Sequence, residues 1–174
     1  MKKLGLLVLT GFFLMSAFTF QAQAQSKKIN SRYTGPITKT NFLNSNYTNR
    51  WFTPRYKRYN PDAAAMKVIK KNIDDYKIVM FMANWCPDSH REVPRLYKIL
   101  EETNYDLANL KVYAVDYRMH TAKDYEKGYN IHAVPTIIFY QDGKEVNRFV
   151  EHAQKSLAKD IAKIVSGQAY KPHS

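Results

Sequence analysis

The chain has one cysteine, Cys86, in the run Met82-Ala83-Asn84-Trp85-Cys86-Pro87-Asp88-Ser89-His90. A lone thiol forms no internal disulfide and builds no multi-cysteine zinc site. Two roles remain: a reactive nucleophile, or a small buried hydrophobe. The flanking residues favour the nucleophile. Residues 77–83 contain Ile78-Val79-Met80-Phe81-Met82, a short apolar run suited to a strand buried on both faces. Pro87 to Glu102 reads as a helix, with Val93, Leu96, Ile99 and Leu100 on one side. Pro87 suits its first position, where a missing N–H costs nothing. The sulfur then sits over a helix N-terminus, where free N–H groups and the helix dipole favour a thiolate. Asp88 opposes this by repulsion. His90 falls on the same side of the helix and could assist when protonated, but reads first as a solvated helix residue.

The surrounding elements alternate. Asp62 to Asn72 is helical, with Met66, Ile69 and Ile73 in phase. Leu110 to Val115 is a strand. Thr121-Ala122-Lys123-Asp124 has the form of a capping box, predicting a short helix to Tyr129. Ile137 to Tyr140, the turn Gln141 to Lys144 and Glu145 to Val150 predict a hairpin. Leu157, Ile161, Ile164 and Val165 form the apolar stripe of a last helix, stopped near Gly167. Strands alternating with helices before a closing hairpin indicate an α/β sandwich with a mixed sheet.

These residues together resemble the thioredoxin superfamily. Trp85-Cys86-Pro87-Asp88-Ser89 is similar to its W-C-x-x-C active site, with Ser89 in place of the second cysteine. Pro94 matches the proline inside that family's active-site helix. Val134-Pro135-Thr136 matches its cis-proline loop. The resemblance covers about residues 61–168. It implies a thioredoxin-like three-layer sandwich around a central mixed sheet. It also implies Cys86 as nucleophile and Ser89 as a hydroxyl that supports the thiolate. Trp85 and Pro87 would contact substrate, while Val134 and Pro135 would position the partner chain by strand-like backbone pairing. Two positions depart from the family: Ser89 removes the resolving thiol, and Met80 stands where many members bury an acid. The chain can therefore attack a disulfide and form a mixed disulfide, but completes the cycle only with outside help.

Other cysteine chemistries fit less well. Arg91 is one residue too close for a phosphatase-type loop. His120, His132, His152 and His173 sit in no recognisable hydrolase signature. No metal or cofactor is expected.

The N-terminus speaks to compartment. Met1-Lys2-Lys3, the uncharged run Leu4 to Phe20 and the small residues Ala22-Gln23-Ala24 read as a secretory signal peptide cleaved after Ala24. The expected location is the bacterial periplasm or outside the cell. The full chain has 174 residues and a formal net charge of +12, from 27 basic and 15 acidic residues. That excess alone suggests an anionic partner, but it is unevenly placed. Residues 25–60 hold eight basic residues and no Asp or Glu, whereas residues 61–174 hold 17 basic and 15 acidic. We divide the chain into a signal peptide (1–24), a basic aromatic-rich extension (25–60), a thioredoxin-like domain (61–170) and a tail (171–174). No helical period is evident in the extension, so short extended pieces are expected there. Its charge allows contact with an anionic surface, and export argues against nucleic acid.

The expected function is action on protein or small-molecule thiols and disulfides through one cysteine: mixed-disulfide, isomerase or monothiol reductase chemistry, with an external reductant. The alternative is a non-catalytic thioredoxin-fold module that holds a partner in the same groove or on the basic extension.

Overall fold

The computed structural model describes residues 29–173; the expected signal peptide lies outside them. The chain runs β1 (Gly35–Pro36), α1 (Lys39–Asn44), α2 (Asn46–Arg58), α3 (Ala63–Asn72), β2 (Lys77–Met82), α4 (Pro87–Glu102), β3 (Leu110–Ala114), β4 (Thr136–Gln141), β5 (Lys144–Val150) and α5 (Leu157–Val165). The strands form one mixed sheet in the order β1-β3-β2-β4-β5. Strand β2 lies in the middle, parallel to β3 and antiparallel to β4, with Met80 opposite Val112 on one side and Ile137 on the other.

The apolar run of β2 serves two cores because successive side chains point to opposite faces. Ile78, Met80 and Met82 enter the larger core, built with all five helices. Val79, Phe81 and Ala83 enter a smaller cluster with Cys86, Val115, Val134 and Ile138. Met119, Tyr129 and Ile131 cover that second face. The architecture is thus a helical layer, a central sheet, and a covering layer of turns and loop.

Local signals set most boundaries. Asp62 caps α3 by accepting the Ala65 N–H at 2.9 Å, and Ser156 caps α5. Asp142 and Gly143 turn the β4–β5 hairpin with φ of 50° and 76°, values suited to a two-residue turn that matches strand twist. Gly167, with φ of 70°, follows α5.

Two expectations are corrected. First, residues 39–58 are helical rather than extended. The period is present: Thr48, Trp51 and Phe52 are buried at i, i+3 and i+4, and Tyr56 and Tyr59 continue the stripe against the core. Weak helix formers and an internal Pro54 mask it. Burial supplies the stability instead: Phe42 stacks on Phe52 at 5.2 Å, and both meet Tyr97 of α4 edge-on. Lys39 and Tyr56 both donate to the Glu101 carboxylate of α4.

Second, Thr121 to Tyr129 forms turns, not a helix. Asp124 and Gly128 adopt φ of 56° and 85°, which no continuous right-handed helix accommodates. The Glu126 carboxylate instead reaches back to accept the Thr121 N–H at 3.0 Å and its hydroxyl at 2.6 Å. Burial pushes the Glu126 carboxyl up. Bonds from the Thr121 hydroxyl, its own backbone, His120 and the Thr121 amide outweigh this and hold it at about 2.

Phe52→Ala removes a fully buried ring and should lower stability by about 3–5 kcal/mol, read from the denaturant midpoint at unchanged slope. Glu126 makes a different prediction. Its carboxyl is depressed from 4.5 to about 2 on folding. Its contribution is therefore complete above about pH 4.5 and lost as pH falls toward about 2. In pH-dependent unfolding, the stability gap between wild type and Glu126→Gln should narrow across that window.

Candidate active site

Strand β2 ends at Met82, and α4 begins at Pro87 after four intervening residues. Cys86 is the N-cap of α4, with extended backbone at φ −86° and ψ 123°, and Pro87 opens the first turn. The Ser89 N–H points at Cys86 Sγ at 3.5 Å, and the thiol donates to the Val134 carbonyl at 3.2 Å. The sulfur thus lies between the N-terminus of α4 and the backbone beside Pro135. The Val134-Pro135 peptide is cis. Pro135 O accepts from the Glu151 N–H at 2.8 Å, and Thr136 Oγ1 donates to Ala133 O at 2.7 Å, which pin this loop on both sides. Cys86 is 6% exposed. Pro87 beside it is exposed.

The structure brings Trp85, Cys86, Pro87, Ser89, Val134 and Pro135 to one place, with one change of role. The Ser89 hydroxyl accepts the Ala83 N–H at 3.1 Å. It is the Ser89 backbone, not its hydroxyl, that faces the sulfur. Ser89 is fully buried, so its side chain braces the loop between β2 and α4. Asp88 pairs with Arg91 at 2.6 Å, which offsets its repulsion of a thiolate. Met80 is fully buried within the larger core, on the opposite face of β2 from the Cys86 cluster. Pro94 lies buried inside α4.

His90 is not a solvated residue. Its ring stacks on Trp51 at 4.4 Å, and Nε2 lies 2.7 Å from Asn84 O, a carbonyl that requires the Nε2–H tautomer. Burial pushes its pKa down, the Asn84 bond opposes this, and Arg55 adds to the lowering. Its proton is committed to the loop backbone rather than to the sulfur.

Four neighbours of the site are absent from the residues expected there. Tyr47 donates its hydroxyl to Asn84 O at 3.0 Å, and Trp51 covers His90, so α2 grips the active-site loop from the extension. Asn84 is fully buried, and its side-chain amide has no partner among the described residues. Tyr117, 68% exposed, stacks on Trp85 at 4.4 Å and extends the apolar shelf beside the sulfur. The helical spacing of Tyr47 and Trp51 is the only sequence signal that could have found any of them.

Ser89→Ala leaves the buried Ala83 N–H unsatisfied. It should lower stability by about 1–3 kcal/mol in denaturant unfolding. Because the Ser89 N–H to Sγ remains, the alkylation rate of folded Cys86 should change much less than stability does.

The comparisons with known proteins bear on the same region. The family model for Thioredoxin matches residues 60–163. The thioredoxin of Mycoplasmoides gallisepticum is 31% identical over 86 residues, covering 49% of this chain and 80% of that protein. Among solved structures, a protein of unknown function from Pseudomonas aeruginosa superposes with a TM-score of 0.50 at 16% identity, covering 71% of this chain and 84% of that one. This likeness speaks to the fold alone. A thioredoxin from Fasciola hepatica is 27% identical over 56% of this chain and 88% of its own, with a TM-score of 0.39. A family match across residues 60–163 spans the strand, the Cys86 helix, the cis-proline loop and the hairpin, and so the chain belongs to the thioredoxin family.

Proposed function

We propose that this thioredoxin-family protein works outside the cytoplasm and acts on protein or small-molecule disulfides through Cys86 alone. Membership of the family carries the general role, a thiol–disulfide oxidoreductase type of chemistry on protein thiols and disulfides. The single observation that carries the finer reading is the position of Cys86 Sγ, at the N-cap of α4, between the Ser89 N–H and the Val134 carbonyl.

In this reading the Cys86 thiolate attacks one sulfur of a substrate disulfide. The substrate S–S bond breaks, its other sulfur leaves as a thiolate, and Cys86 becomes part of a mixed disulfide. Ser89 offers no second thiol. Release therefore needs two equivalents of an external thiol, or another thiolate of the substrate. In the first route one external thiolate attacks the Cys86 sulfur and frees the reduced substrate, and a second attacks the resulting Cys86–thiol disulfide, leaving as the oxidised external disulfide and restoring the Cys86 thiolate. In the second route a substrate thiolate other than the one first displaced attacks the substrate sulfur, forms a new substrate disulfide and releases Cys86, which isomerises the substrate. Val134 and Pro135 offer backbone to an incoming extended segment, and Trp85 with Tyr117 offers an aromatic shelf. Export rests on the Met1 to Ala24 pattern and places the protein in the periplasm or outside the cell.

The competing reading, a partner-holding module without turnover, draws on the low exposure of Cys86. Two measurements separate them. Wild type should release a thiolate chromophore from a small aromatic disulfide with a rate well above that of free cysteine, and Cys86→Ala should release none. Ser89→Cys should then gain catalysed reduction of a protein disulfide by an added dithiol. Slow exchange by wild type together with no gain in Ser89→Cys would leave the binding module as the function.

A further inference from the structure

The charged residues of the extension and of α4 meet in a groove that the thiol chemistry does not use. One part, about 540 Å³, is bounded by Asp88, Arg91, Glu92 and Arg95 of α4 and by His152 and Lys155 on the opposite wall. A second part, about 360 Å³, shares Tyr59, Arg91 and Arg95 and continues past Arg55 and Arg58 at the end of α2. The two parts share Tyr59, Arg91 and Arg95 in their linings and so adjoin along α4; they are taken together as the groove. Five cationic side chains line it against two carboxylates.

Those two carboxylates are already engaged. Glu92, 1% exposed, accepts from Arg91 Nε at 2.6 Å and Arg95 Nη1 at 3.1 Å. Asp88 takes Arg91 Nη1 at 2.6 Å. Arg95 also lies over the Tyr59 ring at 5.2 Å. Buried Glu92 therefore holds two guanidinium groups in place while leaving some of their donors free. Arg55 and Arg58 bond only to carbonyls of their own helix, Trp51 O and Pro54 O, and have no carboxylate partner among the described residues. The groove begins beside the site: Asp88 is two residues from Cys86, and His152 follows Glu151, whose N–H binds Pro135 O.

We infer that this arginine groove docks an acidic segment of the substrate polypeptide, a stretch of Asp or Glu a few residues from the sulfur that Cys86 attacks. The inference rests on the thiol reading above for its purpose, but not for its binding test. Pre-held guanidinium forks match carboxylates in geometry as well as charge. Two adjoining recesses, the first lined by Asp88, two residues from Cys86, and by His152, next to the residue that binds Pro135 O, suit a few successive side chains of an extended segment rather than a nucleic-acid duplex or a flat membrane surface.

The test uses the exported protein and two labelled, cysteine-free peptides, one rich in Asp and Glu and one with Asn and Gln in their place. By fluorescence anisotropy the acidic peptide should bind about tenfold tighter at low salt, and the advantage should shrink as ionic strength rises and the Debye length falls. The double variant Arg55→Ser/Arg58→Ser, altered only at exposed positions, should lose most of that advantage. Equal binding of the two peptides overturns the inference. So does an undiminished advantage in the double variant. Tighter binding of a single-stranded oligonucleotide, or of phosphatidylglycerol vesicles, also overturns it. The same peptides carrying a disulfide then report on Cys86. Faster exchange with the acidic form ties the groove to the site. Retained acidic binding without exchange supports the groove and sinks the thiol reading alone.

Discussion

The structure depends on a central strand buried on both faces. β2 has β3 and β4 hydrogen-bonded along its edges and apolar clusters above and below. A strand so enclosed leaves the core only at its ends. The strand ends at Met82, the chain turns while still buried through Ala83 and Asn84, and α4 starts at exposed Pro87. The packing of β2 fixes where the chain leaves the sheet, and the local start of α4 at Pro87 puts Cys86 at the helix N-terminus. The same side of the sheet receives the cis-proline loop at the start of β4, which is why Val134 O can meet the sulfur.

The extension is part of this arrangement and not an appendage. Phe42, Trp51 and Phe52 share one core with Val93, Leu96 and Tyr97 of α4. A helix that carries the nucleophile on its first turn is thus packed along its length by α2. The grip extends to the active-site loop, where Tyr47 and His90 both donate to Asn84 O. Arg55 and Arg58 of α2 line the groove along α4. Within α2 the charge and the aromatics separate: Trp51 and Phe52 are buried in the core, whereas Arg50, Arg55, Lys57 and Arg58 are exposed.

Regular elements were readable wherever one pattern dominated. The apolar run of β2, the stripe of α5 and the Asp142-Gly143 turn each had a single clear period or turn signature. Residues 39–58 did not, because Asn, Thr and Pro54 dilute a stripe that only the α4 surface makes sense of. The Thr121 segment failed for the opposite reason. Its hydroxyl and carboxylate do form capping-type contacts, but Glu126 bonds across the turn, and the left-handed residues Asp124 and Gly128 stop any helix. At the site, the residues on α4 and in the Val134-Pro135 loop could be named from the sequence. Tyr117 could not, since it reaches the site from a distant part of the chain, and Trp51 was detectable only through the diluted helical spacing of α2.

The sequence by itself determined that one thiol must carry any cysteine chemistry, that it stands between a strand and a helix, and that no second thiol waits in the same turn. Those are properties of covalent order and local spacing. Only the tertiary structure decided which groups meet the sulfur. It assigned the Ser89 backbone to Sγ and the Ser89 hydroxyl to Ala83, turned His90 away toward Trp51, and packed α2 of the basic extension against the active-site loop. Those assignments depend on which buried polar groups find partners when the layers close, and the need to satisfy them acts across the whole fold.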